Sequence, residues 1–166
     1  ISKNKKFLRH FHNQLKTDKV TKIYEAILVG VMKKDIEIKT NIDVSTKEHH
    51  HKVQESLDGK KAVSNFKILK KFNSFTHAEI LISTGRMHQI RVQSANLNHP
   101  IVNDRKYGLF NLNKYIAKET TINRLALHAA SISFCDLEGK TVRYKAKKNN
   151  EFDILLTELE NLTIKS

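Results

Sequence analysis

Residues 83–98 read STGRMHQIRVQSANLN, and the spacing of the apolar side chains predicts a helix over 85–98. Thr84 is its expected N-cap, and Pro100, the only proline of the chain, ends it. Projection at about 100° per residue gives the helix a buried stripe and an opposite polar face. The stripe contains Met87, Ile90, Ser94 and Leu97, and the polar face contains Arg86, Gln89, Gln93 and Asn96.

Arg91 falls on the flank of this buried stripe. A guanidinium group is rarely buried without a partner, and an uncompensated buried charge costs about 3–5 kcal/mol. The position therefore predicts a carboxylate partner, unless the side chain extends along the helix to water. At the predicted helix start, Thr84, Gly85 and Arg86 place backbone N–H donors beside a guanidinium group, which suits a phosphate.

Outward from this helix, the hydrophobic periodicity alternates between helix and strand. Helices are predicted over 4–17 and 152–162, and a short polar helix or loop extends to about 122. Strands are predicted over 22–31, 35–42, 62–72, 75–83, 124–134 and 141–146, with a polar connection over 45–60. The expected class is α+β, an antiparallel-rich mixed sheet flanked by helices.

Charge and composition favour a nucleic-acid partner over other classes. The chain has 166 residues, a length typical of one domain, and 30 Lys and Arg against 17 Asp and Glu give a net charge of +13. A single cysteine, Cys135, excludes an internal disulfide and favours a reducing, cytoplasmic compartment. The longest apolar run, 26–32, is far shorter than the ~20 residues of a membrane span.

A native metal site is not expected. His49, His50 and His51 are adjacent and cannot converge on one ion from a regular element, and the sequence has no Cys-x-x-Cys pair.

Residues 84–108, TGRMHQIRVQSANLNHPIVNDRKYG, resemble the signature of the RluA/RluC-type ribosomal large-subunit pseudouridine synthases. That pattern is approximately TGRxHQIRVH, then GHPI, then GDxxYG. Two further matches follow the family order, KIYEAILVG at 22–30 and RLALHAA at 124–130, so the resemblance covers about residues 1–160. Gln93 stands where the family usually has His, and Asn103 where it usually has Gly.

The resemblance implies isomerisation of uridine to pseudouridine in ribosomal RNA, without a cofactor. Arg91 matches the residue that pairs with the catalytic aspartate and keeps it ionised. Tyr24 matches the tyrosine that stacks on the target base and is a candidate for the final proton abstraction, and Leu127 matches the apolar residue on the other side of the site. Positions near the flipped nucleotide are matched by Arg86, His88 and Gln89.

Further basic residues are expected to contact RNA phosphates, although each also fits a solvated surface. These are Lys3, Lys5, Arg9, and the cluster over 140–148 with Lys145 and Lys147. Asp104 is predicted to brace its loop, against Arg105 or Arg86. A monomer is expected.

The family nucleophile, the aspartate of HRLDxxTSG, is not found in the 166 residues. The chain is therefore expected to be the C-terminal portion of one catalytic domain and to be inactive alone. Two alternatives stay open: a synthase that acts on transfer RNA, and a non-catalytic RNA-binding module. The module would have no reason to keep Arg91 facing an empty carboxylate site.

Overall fold

The structure is a computed structural model that describes residues 4–45, 52–147 and 150–162. Within these ranges lie four helices and seven strands. The helices are α1 Lys5–Lys16, α2 Gln89–Asn96, α3 Phe110–Glu119 and α4 Asn150–Glu160. The strands are β1 Thr21–Val29, β2 Ile36–Ser45, β3 Lys52–Glu55, β4 Lys60–Phe72, β5 Phe75–Ile82, β6 Leu127–Cys135 and β7 Thr141–Lys145.

The strands form one sheet in the order β3-β2-β4-β5-β1-β6-β7, and each pairing between neighbours is antiparallel. The predicted α+β class with an antiparallel-rich sheet is confirmed. β1 lies inside the sheet between β5 and β6, which explains why Ala26, Ile27 and Leu28 are all fully buried. A continuous apolar run of this kind is typical of a strand covered on both faces.

Helices cover both faces of β1. Tyr24 shares a cleft with Ile90 and Arg91 of α2, whereas Glu25 shares a different cavity with Phe152 of α4. Successive strand residues point to opposite faces, so α2 and α4 lie on opposite sides of the sheet. The helices α2, α3 and α4 add apolar side chains to the main core, among them Ile90, Ile116, Leu155 and Leu159.

Most predicted elements agree with the structure, but α2 starts four residues later than predicted. Thr84 does not cap it. The Thr84 hydroxyl instead accepts a hydrogen bond from the Val63 N–H at 3.0 Å and donates one to Gln89 Oε1 at 2.8 Å. The N-cap position is His88, whose φ of 53° turns the chain sharply before the helix. Met87 therefore lies outside the helix and is 50% exposed rather than part of the buried stripe.

Gln89 and Gln93, predicted on the polar face, are both buried. Gln93 accepts from the Ser64 hydroxyl at 2.6 Å and donates to Thr40 Oγ1 at 2.9 Å, and Gln89 donates to Ser64 Oγ at 2.9 Å. Buried polar groups are tolerated when they are hydrogen-bonded in this way. This network of amides and hydroxyls fastens α2 to β4 and β2.

Two further details concern the sheet edge and the first helix. β3 lies within the predicted polar connection over 45–60, and its four residues pair with β2 alone. α1 agrees with its prediction, and the Asn4 side chain caps it by accepting from the N–H groups of Lys6 and Phe7. Phe7 and Phe11 of α1 contact the Phe134 ring at centroid distances of 5.9 and 5.0 Å.

Gln14 tethers α1 to β6. Its buried amide donates to the Cys135 carbonyl at 2.8 Å and accepts from the Cys135 N–H at 2.8 Å. We expect Gln14→Ala to lower the free energy of unfolding by about 1–3 kcal/mol, because the Cys135 N–H loses its partner and the Cys135 carbonyl keeps only His10 Nε2, at 3.0 Å. Denaturant titration followed by circular dichroism measures the effect. His12→Ala, at an exposed position of the same helix, is the control, and equal midpoints for both variants would contradict the prediction.

Candidate active site

A cleft of about 220 Å³ lies between α2 and the sheet. It brings together three segments that are far apart in the sequence: β1, the region from the end of β5 to the start of α2, and the start of β6. The lining residues are Tyr24, Ile82, Arg86, His88, Gln89, Ile90, Arg91 and Leu127. Six of the predicted site residues therefore meet in one place.

Tyr24 and Leu127 lie on the same face of the sheet. Ala26, two residues after Tyr24 in β1, is directly opposite Leu127 in the pairing with β6. Both side chains are half-buried and pack against the main core. Burial raises the pKa of the Tyr24 phenol, so the hydroxyl stays protonated at neutral pH and can donate a hydrogen bond. The pair offers an aromatic ring and an apolar side chain to a flat ligand.

Arg91 forms a bidentate ion pair with Asp104. Its Nε donates to Asp104 Oδ2 and its Nη2 to Oδ1, both at 2.8 Å. The Asp104 side chain is fully buried, whereas that of Arg91 is 20% exposed. The carboxylate demanded by the position of Arg91 is therefore present in this chain. Arg91 is thus already paired within this chain, and that it also faces the nucleophilic aspartate of the family stays a prediction.

The ion pair also fixes the loop after Ile101. Asp104 Oδ1 accepts from the N–H groups of Lys106 and Tyr107 at 2.9 and 3.0 Å, which confirms that Asp104 braces its loop. The partner predicted for it, Arg105 or Arg86, is wrong, because the loop turns the carboxylate toward α2 instead. Burial by itself would raise the Asp104 pKa. The hydrogen bonds from Arg91 and the two N–H groups, with the Arg91 charge, outweigh burial and hold that pKa below its usual range.

The ion pair lowers the pKa of Asp104 and raises that of Arg91. The hydrogen bond to Asp104 raises the pKa of Arg91 against the effect of burial, so the guanidinium is charged throughout the accessible pH range. Asp104 occupies two of its five N–H donors. Within the part of the chain that the structure describes, no other acceptor bonds to this guanidinium, which lines the cleft.

Tyr107 is a site residue that the sequence reasoning did not single out. Its ring lies 5.0 Å from the Arg91 guanidinium carbon, and its hydroxyl lies 2.9 Å from His88 Nδ1. Its position in the RKYG part of the quoted motif was the available signal. The pKa of His88 is lowered, first by burial and then by the positive charges of Arg91 and Lys106, whereas the charge of Asp104 acts against the shift. His88 is therefore neutral at neutral pH.

The predicted phosphate cradle at the start of the helix does not form as expected. α2 begins at Gln89, and the Arg86 N–H donates to Gln89 Oε1 at 3.1 Å. The Arg86 side chain donates from Nε to the Lys61 carbonyl at 2.9 Å and lies 3.5 Å from the Asp18 carboxylate. Its guanidinium still borders the cleft.

A neighbouring cavity of about 390 Å³ extends the cleft along the sheet, because Tyr24 lines both. Lys22 and Lys145 also line it. Burial lowers the pKa of Lys22. The negative charge of Asp18 acts against this shift, and the positive charge of Arg86 adds to it. The Lys22 ammonium group donates to the Thr84 carbonyl at 3.4 Å. Lys22 is a second residue near the site that the sequence reasoning did not single out.

The remaining predicted basic residues that the structure describes do not line the cleft. Lys5 and Arg9 are exposed on α1, and Lys147 is exposed after β7. Lys3 and the three histidines His49, His50 and His51 fall outside the described residues. In the ranges that the structure describes, no helix is long and apolar enough to span a membrane.

Comparison with known proteins points to one family. A family model described as RNA pseudouridylate synthase matches residues 1–96. A ribosomal large subunit pseudouridine synthase C from Buchnera aphidicola subsp. Baizongia pistaciae is 40% identical over 137 residues, which cover 81% of this chain and 43% of that protein. The protein of the same name from Haemophilus influenzae is 34% identical over 164 residues, covering 96% and 50%. The chain thus spans about half the length of these curated relatives.

Solved structures give the same fold. Human RNA pseudouridylate synthase domain containing 1 matches with a TM-score of 0.75 at 20% identity, over 99% of this chain and 75% of that one. Human RNA pseudouridylate synthase domain containing 4 matches with a TM-score of 0.74 at 23% identity, over 97% and 70%.

The Arg91–Asp104 pair is expected to make stability depend on pH. Because the folded-state pKa of Asp104 is lowered, its contribution is complete above the unfolded pKa of about 3.9 and is lost as the pH falls through the folded value. We expect Asp104→Asn to lower the free energy of unfolding by about 1.5–3 kcal/mol at neutral pH. The difference from the unsubstituted protein should shrink in acid.

Urea titrations at neutral pH and at several values below about 4 measure this difference. Asp58→Asn, at an exposed turn, is the matched control and should leave stability unchanged at neutral pH. A difference between the Asp104 variant and the unsubstituted protein that stays constant across the acid range would contradict the assignment.

Proposed function

The chain belongs to the RNA pseudouridylate synthase family, and from this premise we propose that the whole protein isomerises uridines of large-subunit ribosomal RNA to pseudouridine. The convergence of Tyr24, Leu127 and Arg91 on one cleft carries the proposal. These three residues come from separate motifs, and a common cleft is what a shared catalytic role requires. The names of the relatives favour ribosomal over transfer RNA as the substrate.

The reaction rearranges one nucleotide. The N1–C1′ bond of the uridine breaks, a C5–C1′ bond forms, and the proton lost from C5 is balanced by one gained at N1. Nothing is oxidised or reduced, so no redox cofactor is needed. The base must first leave its stack, at a cost of a few kcal/mol, because its reacting atoms are inaccessible within a duplex.

Arg91 would orient and keep ionised the nucleophilic aspartate that the family resemblance implies. Three of its N–H donors are not used by Asp104, and a guanidinium close to a carboxylate lowers the pKa of that carboxylate. Asp104 acts through Arg91 and is therefore a positioning residue. It holds the guanidinium in one orientation before substrate arrives, which avoids reorganisation during the reaction.

Tyr24 and Leu127 would hold the flipped base between an aromatic ring and an apolar side chain. Stacking on aromatic side chains is a common way to bind an extruded base. The raised pKa of Tyr24 keeps the ring neutral in the resting state, which suits stacking. Its hydroxyl is also the candidate to take the C5 proton, which it can do only as the phenolate, a form that the raised pKa makes scarce at neutral pH.

The net charge of +13 supports electrostatic contact with the RNA backbone. Arg86, His88 and Gln89 border the cleft, although the Gln89 amide is engaged in the network that holds α2. Lys145 borders the adjoining cavity. Lys5, Arg9 and Lys147 would contact phosphates farther from the target nucleotide, as would Lys3.

The proposal also covers the oligomeric state, the compartment and the domain organisation of the protein. The protein would act as a monomer in the cytoplasm, and this chain would form part of one catalytic domain. A non-catalytic RNA-binding module is no longer distinguished by Arg91 alone, because Asp104 provides a structural reason to keep that arginine. Turnover has to decide between the two.

We expect Arg91→Met in the whole protein to reduce pseudouridine formation at least about 100-fold while RNA affinity changes little. Pseudouridine in large-subunit ribosomal RNA transcripts is quantified by mass spectrometry, and affinity by filter binding. Arg124→Met is the matched control, because Arg124 is exposed and pairs with Glu151 at the surface. Since Arg91→Met leaves Asp104 unpaired, the double variant with Asp104→Asn tests whether stability alone explains the loss.

Absence of pseudouridine with the unsubstituted whole protein would overturn the proposed function. Retained turnover in Arg91→Met, or parallel loss of turnover and binding, would overturn the role of Arg91.

We expect Tyr24→Phe to keep RNA affinity and to lose at least about 100-fold in turnover, because the ring remains and only the proton acceptor is removed. Tyr24→Ala should weaken both. The same two assays separate these effects, and full turnover by Tyr24→Phe would restrict Tyr24 to stacking.

A further inference from the structure

Three charged side chains meet where the cleft joins the adjoining cavity. Arg86 borders the cleft, Lys22 lines the adjoining cavity, and Tyr24 lines both. Lys22 and Tyr24 are two residues apart in β1, so they point to the same face of the sheet. Asp18, in the turn after α1, has its carboxylate 3.5 Å from Arg86 Nη2. Lys22, Arg86 and Asp18 are called the junction cluster below.

Backbone carbonyls hold the two cations of the junction cluster close together. The Lys22 ammonium donates to the Thr84 carbonyl at 3.4 Å, and Arg86 Nε donates to the Lys61 carbonyl at 2.9 Å. A Cβ at Gly85 would lie 2.9 Å from Lys22 Nζ, so the ammonium lies against the segment that carries Arg86. A carbonyl orients a cation without neutralising it, and two neighbouring cations repel each other. The charge of Arg86 accordingly adds to the effect of burial in lowering the pKa of Lys22.

Asp18 occupies a position at which an aspartate is unfavourable. Its φ is 53°, a left-handed conformation that glycine adopts freely. The Lys19 N–H donates to the Gln14 carbonyl at 2.9 Å, so α1 ends in a Schellman motif, in which this position is usually glycine. A carboxylate at the C-terminal end of a helix also opposes the helix dipole. An ion pair as exposed as that with Arg86 adds little stability, so the effect of Asp18 on the two cations explains the residue better.

The junction cluster is accessible from solvent and carries an excess of positive charge. The side chains of Arg86 and Asp18 are 29% and 38% exposed, and Lys22 is half-buried in the wall of the adjoining cavity. The Thr84 carbonyl takes one of the three N–H donors of the ammonium. A phosphate of a bound RNA can therefore reach both cations without any change in the core.

We propose that Lys22 and Arg86 bind an RNA phosphate beside the target uridine, and that Asp18 is their counter-ion in the free protein until this phosphate displaces it. A phosphate offers a negative charge and several acceptor oxygens, so it can bond to an ammonium and a guanidinium together. With the base held at Tyr24, such a contact fixes the nucleotide at its backbone as well as at its base. That the ligand is RNA rests on the proposed function, whereas the two cations and their single anion are features of the structure itself.

The test measures binding of fluorescein-labelled oligouridylate to the whole protein by fluorescence anisotropy at several salt concentrations. We expect Lys22→Met to weaken binding about three- to tenfold, because one charge-assisted contact is lost. The slope of log affinity against log salt concentration should become shallower by about 0.7, the value for one phosphate contact of a single strand. Asp18→Asn should strengthen binding about two- to fivefold, because the phosphate no longer has to displace a carboxylate.

Lys118→Met and Asp58→Asn are the matched controls, because they make the same charge changes at two described, exposed positions that line neither the cleft nor the adjoining cavity. Each should change the affinity less than its counterpart in the junction cluster. In a protein that carries both Lys22→Met and Arg86→Met, Asp18→Asn should have no larger effect than Asp58→Asn, since the phosphate contact is already lost. Asp18→Gly should raise the urea midpoint of unfolding, because glycine fits the left-handed backbone and removes the charge from the helix end.

The proposal is overturned if oligouridylate does not bind, if Lys22→Met keeps the salt slope of the unsubstituted protein, or if Asp18→Asn behaves like Asp58→Asn. An equal gain from Asp18→Asn with and without the two cations would also overturn it, because net charge alone would then explain the effect. A lower urea midpoint for Asp18→Gly would overturn the role of Asp18 as a counter-ion. The expected pattern in a whole protein that forms no pseudouridine would support the phosphate site and reject the catalytic proposal.

Discussion

The arrangement of the candidate site depends on one buried ion pair, between Arg91 of α2 and Asp104 of the following loop. A fully buried carboxylate requires a cation and hydrogen bonds, and Arg91 with two backbone N–H groups supplies both. The pair joins α2 to the loop, which the hydrogen bond between Tyr107 and His88 and those of the Asn113 side chain also hold in place. The Gly108 N–H also bonds to the Asp104 carbonyl, and a Cβ at Gly108 would lie 2.3 Å from that oxygen. The close turn around Asp104 therefore requires glycine.

The orientation of α2 is fixed from its other side by polar contacts rather than by a wide apolar stripe. Gln89 and Gln93 place buried amides against Ser64 and Thr40 of the sheet. Hydrogen bonds of this type are directional, so they define the rotation of a helix more narrowly than apolar contacts do. Arg91, on the same helix, consequently faces the cleft and the Asp104 loop together.

Sequence periodicity was sufficient for six of the seven strands and for α1, whereas β3, within the predicted polar connection, was missed. It was insufficient at the start of α2, because Thr84 fits the N-cap pattern but bonds to Val63 and Gln89. Buried glutamines cannot be recognised from periodicity, since their burial depends on partners from other strands. The partner of Arg91 was missed for a similar reason: Asp104 reaches it only through the shape of a loop. The family resemblance, in contrast, identified the residues that converge on the cleft.

The position of β1 between β5 and β6 has a consequence for the order in which the protein becomes functional. Tyr24 and Leu127 are neighbours on the sheet although about a hundred residues separate them in the chain, so their contact belongs to the non-local class that forms slowly. During synthesis, β1 can pair with β5 well before β6 has left the ribosome. The cleft that Tyr24 and Leu127 line is complete only once β6 has added to the other edge of β1. A partly synthesised chain thus carries the basic residues that attract RNA before it has the two side chains that would hold a base.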